Sequence, residues 1–272
     1  MTSHDQAFFA ADGDMLVPSP LARGPWGSTI SGTYIGGLLA RAIELAGGDA
    51  DLQPARLTVD LLRPVALAHP VRVTATVERE GRRIRLVDAT MRQEDTVVAR
   101  AGALFLRRGE QPPDAAWTMP IEMPPPPERP ADVSGDFTME LWTYSANSTS
   151  TGPSNDLSEW QHGGQKYAWV RDVKPLVAGE AVSPFVRAAM AGDVTSSLTH
   201  SSASGLNYIN ADYTLTLSRL PVGEYVGLAG LTHYSHAGVA TGTATLFDRT
   251  GPIGSGVATG LANAGFKPPS RG

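Results

Sequence analysis

Cysteine is absent from the 272 residues. That absence excludes disulfides, zinc–thiolate centres, iron–sulfur clusters and cysteine nucleophiles together. Basic residues are in deficit as well: 22 Lys and Arg stand against 27 Asp and Glu, for a net charge of −5. A nucleic-acid partner is therefore not expected. No apolar run approaches the roughly 20 residues that span a bilayer, so no membrane association is expected either. The opening MTSHDQAFFAADGD lacks the charged-then-apolar order of a secretion signal, and the expected compartment is the cytoplasm. A chain of this length buries about three quarters of its unfolded surface, enough to fold without a staple. What is plentiful is glycine (29) and proline (21), which favours many turns over long helices.

Proline also divides the chain. The stretch QPPDAAWTMPIEMPPPPERP holds eight of the 21 prolines, four of them consecutive at Pro124–Pro127. Such a run is extended and donates nothing to a strand ladder. It reads as a linker over 111–131, between one unit at 1–110 and another at 132–272. In the first unit the spacing predicts a helix over Tyr34–Leu45, closed by Gly47-Gly48, with Ile35, Leu38, Leu39, Ala42 and Ile43 on one stripe. Gly36 and Gly37 inside it cost about 1 kcal/mol each, so a backbone or ligand is expected close by. Strands follow at Leu57–Leu62, Val71–Glu78, Arg83–Arg92 and Val97–Leu106. The second unit repeats this order. It has a strand-like Tyr167–Val173 and a helix start at Ser183-Pro184, with a short helix over Phe185–Ala191. Strands are expected at Tyr208–Leu217, Tyr225–Thr232, Val239–Phe247 and Ile253–Leu261. Ser148–Ser154 and Thr195–Ser204 read as polar loops.

Letters repeat along with the pattern. Val59–Val65 matches Leu215–Val222 with one insertion, Ala89–Met91 matches Ala244–Leu246, and Val98–Arg100 matches Ile253–Ser255. This implies a duplicated domain. One helix against one antiparallel sheet buries a single sheet face. Two such units are best joined edge to edge, which also removes two exposed edges. The expectation is an α+β double hotdog: two tandem hotdog units, each with a helix wrapped by an antiparallel sheet.

In order and spacing, several segments resemble the TesB-like, thioesterase-II type acyl-CoA thioesterases. They are Gly24–Gly27, Gly32–Gly37, Leu61–Pro64, Met190–Asp193, Tyr208–Asp212 and Arg219–Tyr225. The resemblance implies hydrolysis of acyl-CoA to free acid and CoA, with pairing of subunits into a homodimer or higher homo-oligomer. It also implies a catalytic carboxylate on the second helix, and Asp193 matches that place. An aspartate there can take a proton from water as it attacks the thioester, and such chemistry needs no cofactor. Next to Gly192, the same aspartate can also simply cap or turn the chain.

The family's hydroxyl falls within Thr232–His236. Strand alternation sends either Thr232, Tyr234 and His236 or His233 and Ser235 to one face. His233 lies closest to the hydroxyl's place, and the candidates carried forward are His233 and Ser235. The family's glutamine is missing. Alignment puts Ala258 or Thr259 there, and only Thr259 offers a hydrogen bond. Candidate catalytic residues are thus Asp193, His233, Ser235 and Thr259. Candidate substrate-binding residues are Gly32, Tyr34, Gly36 and Gly37. No metal site is expected, because His233 and His236 point to opposite faces of a strand. Arg79–Arg83 reads as a charged hairpin turn able to meet CoA phosphates from a partner subunit. With the glutamine lost, two alternatives stay open. One is a non-hydrolytic acyl-thioester binder. The other is a different hotdog enzyme, either an enoyl hydratase or dehydratase or a thioesterase acting on a carrier protein.

Overall fold

A computed structural model describes residues 7–128, 138–145, 148–149 and 157–263. In chain order it holds β1 (Phe9–Asp12), β2 (Met15–Pro18), α1 (Gly32–Gly47), β3 (Leu52–Leu61), β4 (Val71–Glu80), β5 (Ile84–Gln93) and β6 (Thr96–Arg107). After the proline-rich stretch come β7 (Met139–Ser145), β8 (Ser148–Thr149), β9 (Lys166–Asp172), α2 (Pro184–His200), β10 (Ser201–Ser202) and β11 (Gly205–Leu206). The last four strands are β12 (Tyr208–Leu217), β13 (Val226–His236), β14 (Val239–Asp248) and β15 (Gly251–Ala262).

Thirteen of these strands form one sheet in the order β1-β2-β4-β5-β6-β3-β12-β15-β14-β13-β9-β7-β8. The two halves meet at β3 and β12, antiparallel, with Thr58 opposite Thr214 and their hydroxyls 2.9 Å apart. This is the expected edge-to-edge joint of two hotdogs. The sequence repeat is realised in register. Met91 pairs with Ala99 as Leu246 pairs with Gly254, and the row Val59–Ala101–Ala89 has its counterpart in Leu215–Gly256–Ala244. Both halves even carry a register shift at the same place, Met91/Arg92 and Leu246/Phe247.

Each helix lies against its half of the sheet and against the other helix. α1 presents Ile35, Leu38, Leu39 and Ile43 to the core. α2 opens on Ser183, whose hydroxyl accepts from the Val186 N–H, with Pro184 at the first helical position. α2 does not stop at Ala191. It runs on to His200, so Thr195–His200 is helix and not loop. Thr195, Ser196, Thr199 and His200 are buried because glycines in the sheet beneath them leave room for polar side chains. A Cβ on Gly242 would meet Thr199, one on Gly256 would meet Thr195, and one on Gly260 would meet His200. The hydroxyls turn back onto helix carbonyls, Thr199 onto Thr195 and Ser197 onto Val194.

Residues 108–128 of the proline-rich stretch carry no regular structure. Ile121 and Met123 pack on Trp169 and Phe247, and the Pro124 carbonyl accepts from the Trp169 indole at 2.8 Å. Residues 129–131 of the expected linker and residues 150–154 of the polar stretch Ser148–Ser154 lie outside the described residues.

Candidate active site between the two helices

The first turn of α1 has no cap of its own, since the Ser31 side chain makes no capping bond. The opposite helix supplies one. Asp193, in the middle of α2, accepts from the Thr33 hydroxyl at 2.9 Å on Oδ2 and from the Asn210 amide at 2.9 Å on Oδ1. The Thr33 backbone N–H also acts on it. Gly32 makes the approach possible, because a Cβ there would stand 2.7 Å from Asp193 Oδ1. Burial pushes the Asp193 carboxyl above the usual carboxylate range, and the Asn210 and Thr33 donors only partly oppose it. A carboxylate offers about four acceptor positions, so three donors leave room for one water.

Asn210 reaches this place through a bulge. Tyr213, Leu215 and Leu217 are buried and fix the inward face of β12. Strict alternation from Tyr213 would turn Asn210 outward. The register shift between Asn210 and Asp212 turns it in. A second bulge does the same on β13. Val226 and Leu228 are buried, and by alternation they would send Thr232 inward. The shift between Gly230 and Thr232 instead aims His233 at α2. Its Nδ1 lies 3.1 Å from Nδ1 of His200, and Tyr208 packs against both rings, 5.7 Å from His200 and 5.6 Å from His233 between centroids. His200 is 2% exposed. Burial, and then His233, lower its pKa to about 4, so it is neutral. Two turns of α2 separate His200 from Asp193, about 10 Å along the same face.

The remaining candidates separate. Ser235 shares the face of His233 and, like it, is exposed, but stands two residues further out, beyond the contact with His200. Thr259 is not on the helix side. Gly256, Ala258 and Gly260 face α2, so Thr259 points the other way, and both its N–H and its hydroxyl donate to Asp212. Thr259 therefore does not meet Asp193, and the alternation of β15 is the reason. Among the substrate candidates only Gly32 adjoins Asp193. Gly36 sits under the Tyr213 hydroxyl, which donates to the Ala189 carbonyl, and Gly37 sits against Met190 and Leu176. Tyr34 is buried and stacked on Phe8 at 3.9 Å. These three positions serve the packing of α1 on its neighbours. Sequence reasoning missed Thr33, Asn210, His200 and Tyr208. Thr33, Tyr208 and Asn210 stand inside segments that carried the resemblance, which was the available signal. His200 falls in the stretch Thr195–Ser204, whose polar sequence reads as a loop.

Among the described residues no group of three or more His, Asp or Glu is placed to hold a metal ion, and no helix is long and apolar enough to cross a membrane.

Comparison with known proteins agrees with this fold. No curated protein sequence matches the chain. Among solved structures, the chain is similar to the tesB protein of Mycobacterium avium subs paratuberculosis (TM-score 0.63, 18% identity, covering 93% of this chain and 95% of that one). It is also similar to a conserved protein with hot dog fold from Alicyclobacillus acidocaldarius (0.66, 17%, 99% and 100%). A third is the acyl-CoA thioesterase II TesB2 of Mycobacterium marinum (0.61, 17%, 95% and 95%). At these identities the likeness shows the fold. The sequence profile of the acyl-CoA thioesterase N-terminal domain matches residues 22–106, and that of the C-terminal domain matches residues 112–262. The chain belongs to the acyl-CoA thioesterase family and is a thioester hydrolase.

Proposed function

We propose that the chain hydrolyses acyl-CoA with Asp193 as general base. The observation that carries this reading is the Asp193 carboxylate wedged against the first turn of α1. It is held by Thr33 and Asn210, and its basicity is raised by burial. In the reaction Asp193 takes a proton from water, and the water oxygen adds to the thioester carbonyl. The tetrahedral oxyanion then expels the CoA thiolate, and the proton passes on to the sulfur or to solvent. The α1 N-terminus supplies positive potential where the oxyanion forms. His233, tied to His200 some two helical turns from Asp193, does not reach that water in this reading and lines the outer end of the same face. Ser235 and Thr259 are left out of it, because they lie away from Asp193.

The test is Asp193→Asn, assayed by release of free CoA with a thiol reagent. Asparagine keeps the shape, and Asn210 and the Thr33 hydroxyl can both reorient to satisfy it. The fold is therefore expected to survive while kcat falls about 100-fold or more at similar KM. Native turnover in this variant would end the assignment and leave Asp193 as a cap for α1.

Pairing into a homodimer or larger assembly belongs to the same proposal. The exposed Tyr234, Val239, Val257 and Leu261 on the outer face of the second unit support it. A light-scattering mass of 28.7 kDa at micromolar concentration would overturn it.

A further inference from the structure

One arginine cluster has no part in the chemistry at Asp193. Arg79, Arg82, Arg83 and Arg107 line a groove of about 550 Å³ together with Gly81, Ile84 and Leu106. Arg107 is tethered, donating to the Arg82 carbonyl and to Asp51. Nearby Glu80 is taken up by Arg85. Arg79, Arg82 and Arg83 are exposed and make no side-chain hydrogen bond or ion pair with any described residue. Ile84 and Leu106 pair directly across β5 and β6 and form an apolar floor.

The duplication shows that these arginines are not a demand of the fold. In the second unit the counterpart of Ile84–Leu106 is Val239–Leu261, paired across β14 and β15 in the same way. There the preceding hairpin strand ends in Tyr234-Ser235-His236, with no arginine. Concentrated positive charge in a chain of net charge −5 therefore belongs to this one end of the first unit.

Nor does the groove adjoin the Asp193 site of its own chain. Phe105 and Ala103 are buried toward α1, so Leu106 lies on the opposite face of the sheet. Arg85 reaches the Gly47 carbonyl at the C-terminal end of α1, and Asp193 holds the N-terminal end. They lie at opposite ends of this 16-residue helix, about 24 Å long.

We propose that this groove binds the phosphorylated adenosine end of a ligand. Guanidinium forks match phosphate oxygens and stack on planar rings, and the Ile84–Leu106 floor offers a purine an apolar face. Two sources share this chemistry: the nucleotide end of an acyl-CoA seated at Asp193 of a second copy, and a free adenine nucleotide. The binding claim does not depend on turnover, so it can fail or hold independently of Asp193.

The experiment is isothermal titration of adenosine 3′,5′-bisphosphate into the full chain and into Arg82→Ala/Arg83→Ala. Saturable binding is expected, weakening with salt and dropping at least about 10-fold in the double variant. No saturable binding overturns the proposal, as does equal binding by the variant. Inorganic phosphate binding as tightly as the nucleotide overturns its adenosine part. If the double variant fails to fold, Arg79→Ala takes its place under the same criteria. KM measurements then assign the source. A rise in KM for acyl-CoA, with none for the same acyl group on N-acetylcysteamine, supports the CoA end of a substrate. Lost nucleotide binding with both KM values unchanged supports a free nucleotide.

Discussion

α1 and α2 occupy equivalent places in a duplicated frame and are built in opposite ways. α1 buries Leu38, Leu39 and Ile43 over a first-unit sheet that carries side chains, including Ala101 and Val87. The C-terminal half of α2 buries Thr195, Ser196, Thr199 and His200 over Gly242, Gly256 and Gly260. Strand register matches along most of both halves, down to the shift at Met91/Arg92 and Leu246/Phe247, while the shift on the preceding strand falls two residues apart, at Val77/Arg79 and Gly230/Thr232. What differs is the layer between helix and sheet. In the second unit, glycines in the strands let the helix bring hydroxyls and an imidazole into the interior, next to the stretch that holds Asp193. A duplicated fold can thus keep one copy as an apolar scaffold and let the other accumulate buried polar groups.

The comparison is tested most severely by acid. α1 buries no histidine or carboxylate to set against His200. Its pKa is lowered to about 4 from an unfolded value near 6.5. The unfolded chain therefore binds the proton more readily. The stability contributed by neutral His200 is complete above about pH 6.5 and is lost as pH falls toward about 4. The full linkage amounts to ~3 kcal/mol. Melting temperatures of the native protein and His200→Gln, followed from pH 7.5 to pH 4, should converge as the native curve drops more steeply. Parallel curves would show that the buried imidazole is not held neutral.

A smaller effect comes from the one position in that row where the first unit has alanine and the second has glycine. Gly256 of the second unit corresponds to Ala101 of the first. A Cβ on Gly256 would overlap the Thr195 hydroxyl, an oxygen that has no hydrogen-bond partner among the described residues. Gly256→Ala should cost about 1–3 kcal/mol by overpacking. Adding Thr195→Ala removes the obstructing atom and should restore most of it, while Thr195→Ala alone changes little. Urea midpoints of the four proteins measure the coupling. Additive costs would mean that Gly256 is there for some reason other than Thr195. The reverse change in the first unit, Ala101→Gly, should cost only about 0.5–1 kcal/mol, the ordinary penalty of glycine in a strand.

These contrasts also explain what could be read from the sequence. The frame was readable because it rests on period-two strands, on Ser183-Pro184 as a helix start and on letters repeated at equal spacing. The second half of α2 was not, because Thr195–His200 is polar, and its burial depends on glycines in strands 40 to 65 residues further along. Asp193 was found through the resemblance. Its partners were missed because each needs a tertiary fact: Thr33 is brought to it by helix–helix packing, and Asn210 by a bulge that breaks alternation. His233 and Ser235 could be grouped on one face, but which face met α2 depended on the bulge after Gly230. β1, β2 and β7 are short or edge-side strands and left no clear period. Gly36 and Gly37 signalled the close approach of a backbone or a ligand, but what approaches them is side chains. The approaching groups are Tyr213 and Met190.

The smallest expected effect separates the two faces of β15. Thr259 stood as a candidate because it is the last hydrogen-bonding side chain near the missing glutamine. The structure turns it away from α2 and gives its hydroxyl to Asp212 at 2.5 Å, beside the joint where Asp212 pairs with Asp60. Thr259→Val keeps the β-branched shape and removes one hydrogen bond to a charged acceptor that retains the Thr259 N–H. Stability should fall by about 1 kcal/mol, and kcat should stay within about twofold of the native value, because the Thr259 hydroxyl donates to Asp212 on the outer face and not to Asp193 or its donors. A loss of kcat well beyond that, with Tm preserved, would mean that substrate reaches the outer face of β15 and that the site extends through the joint between the two units.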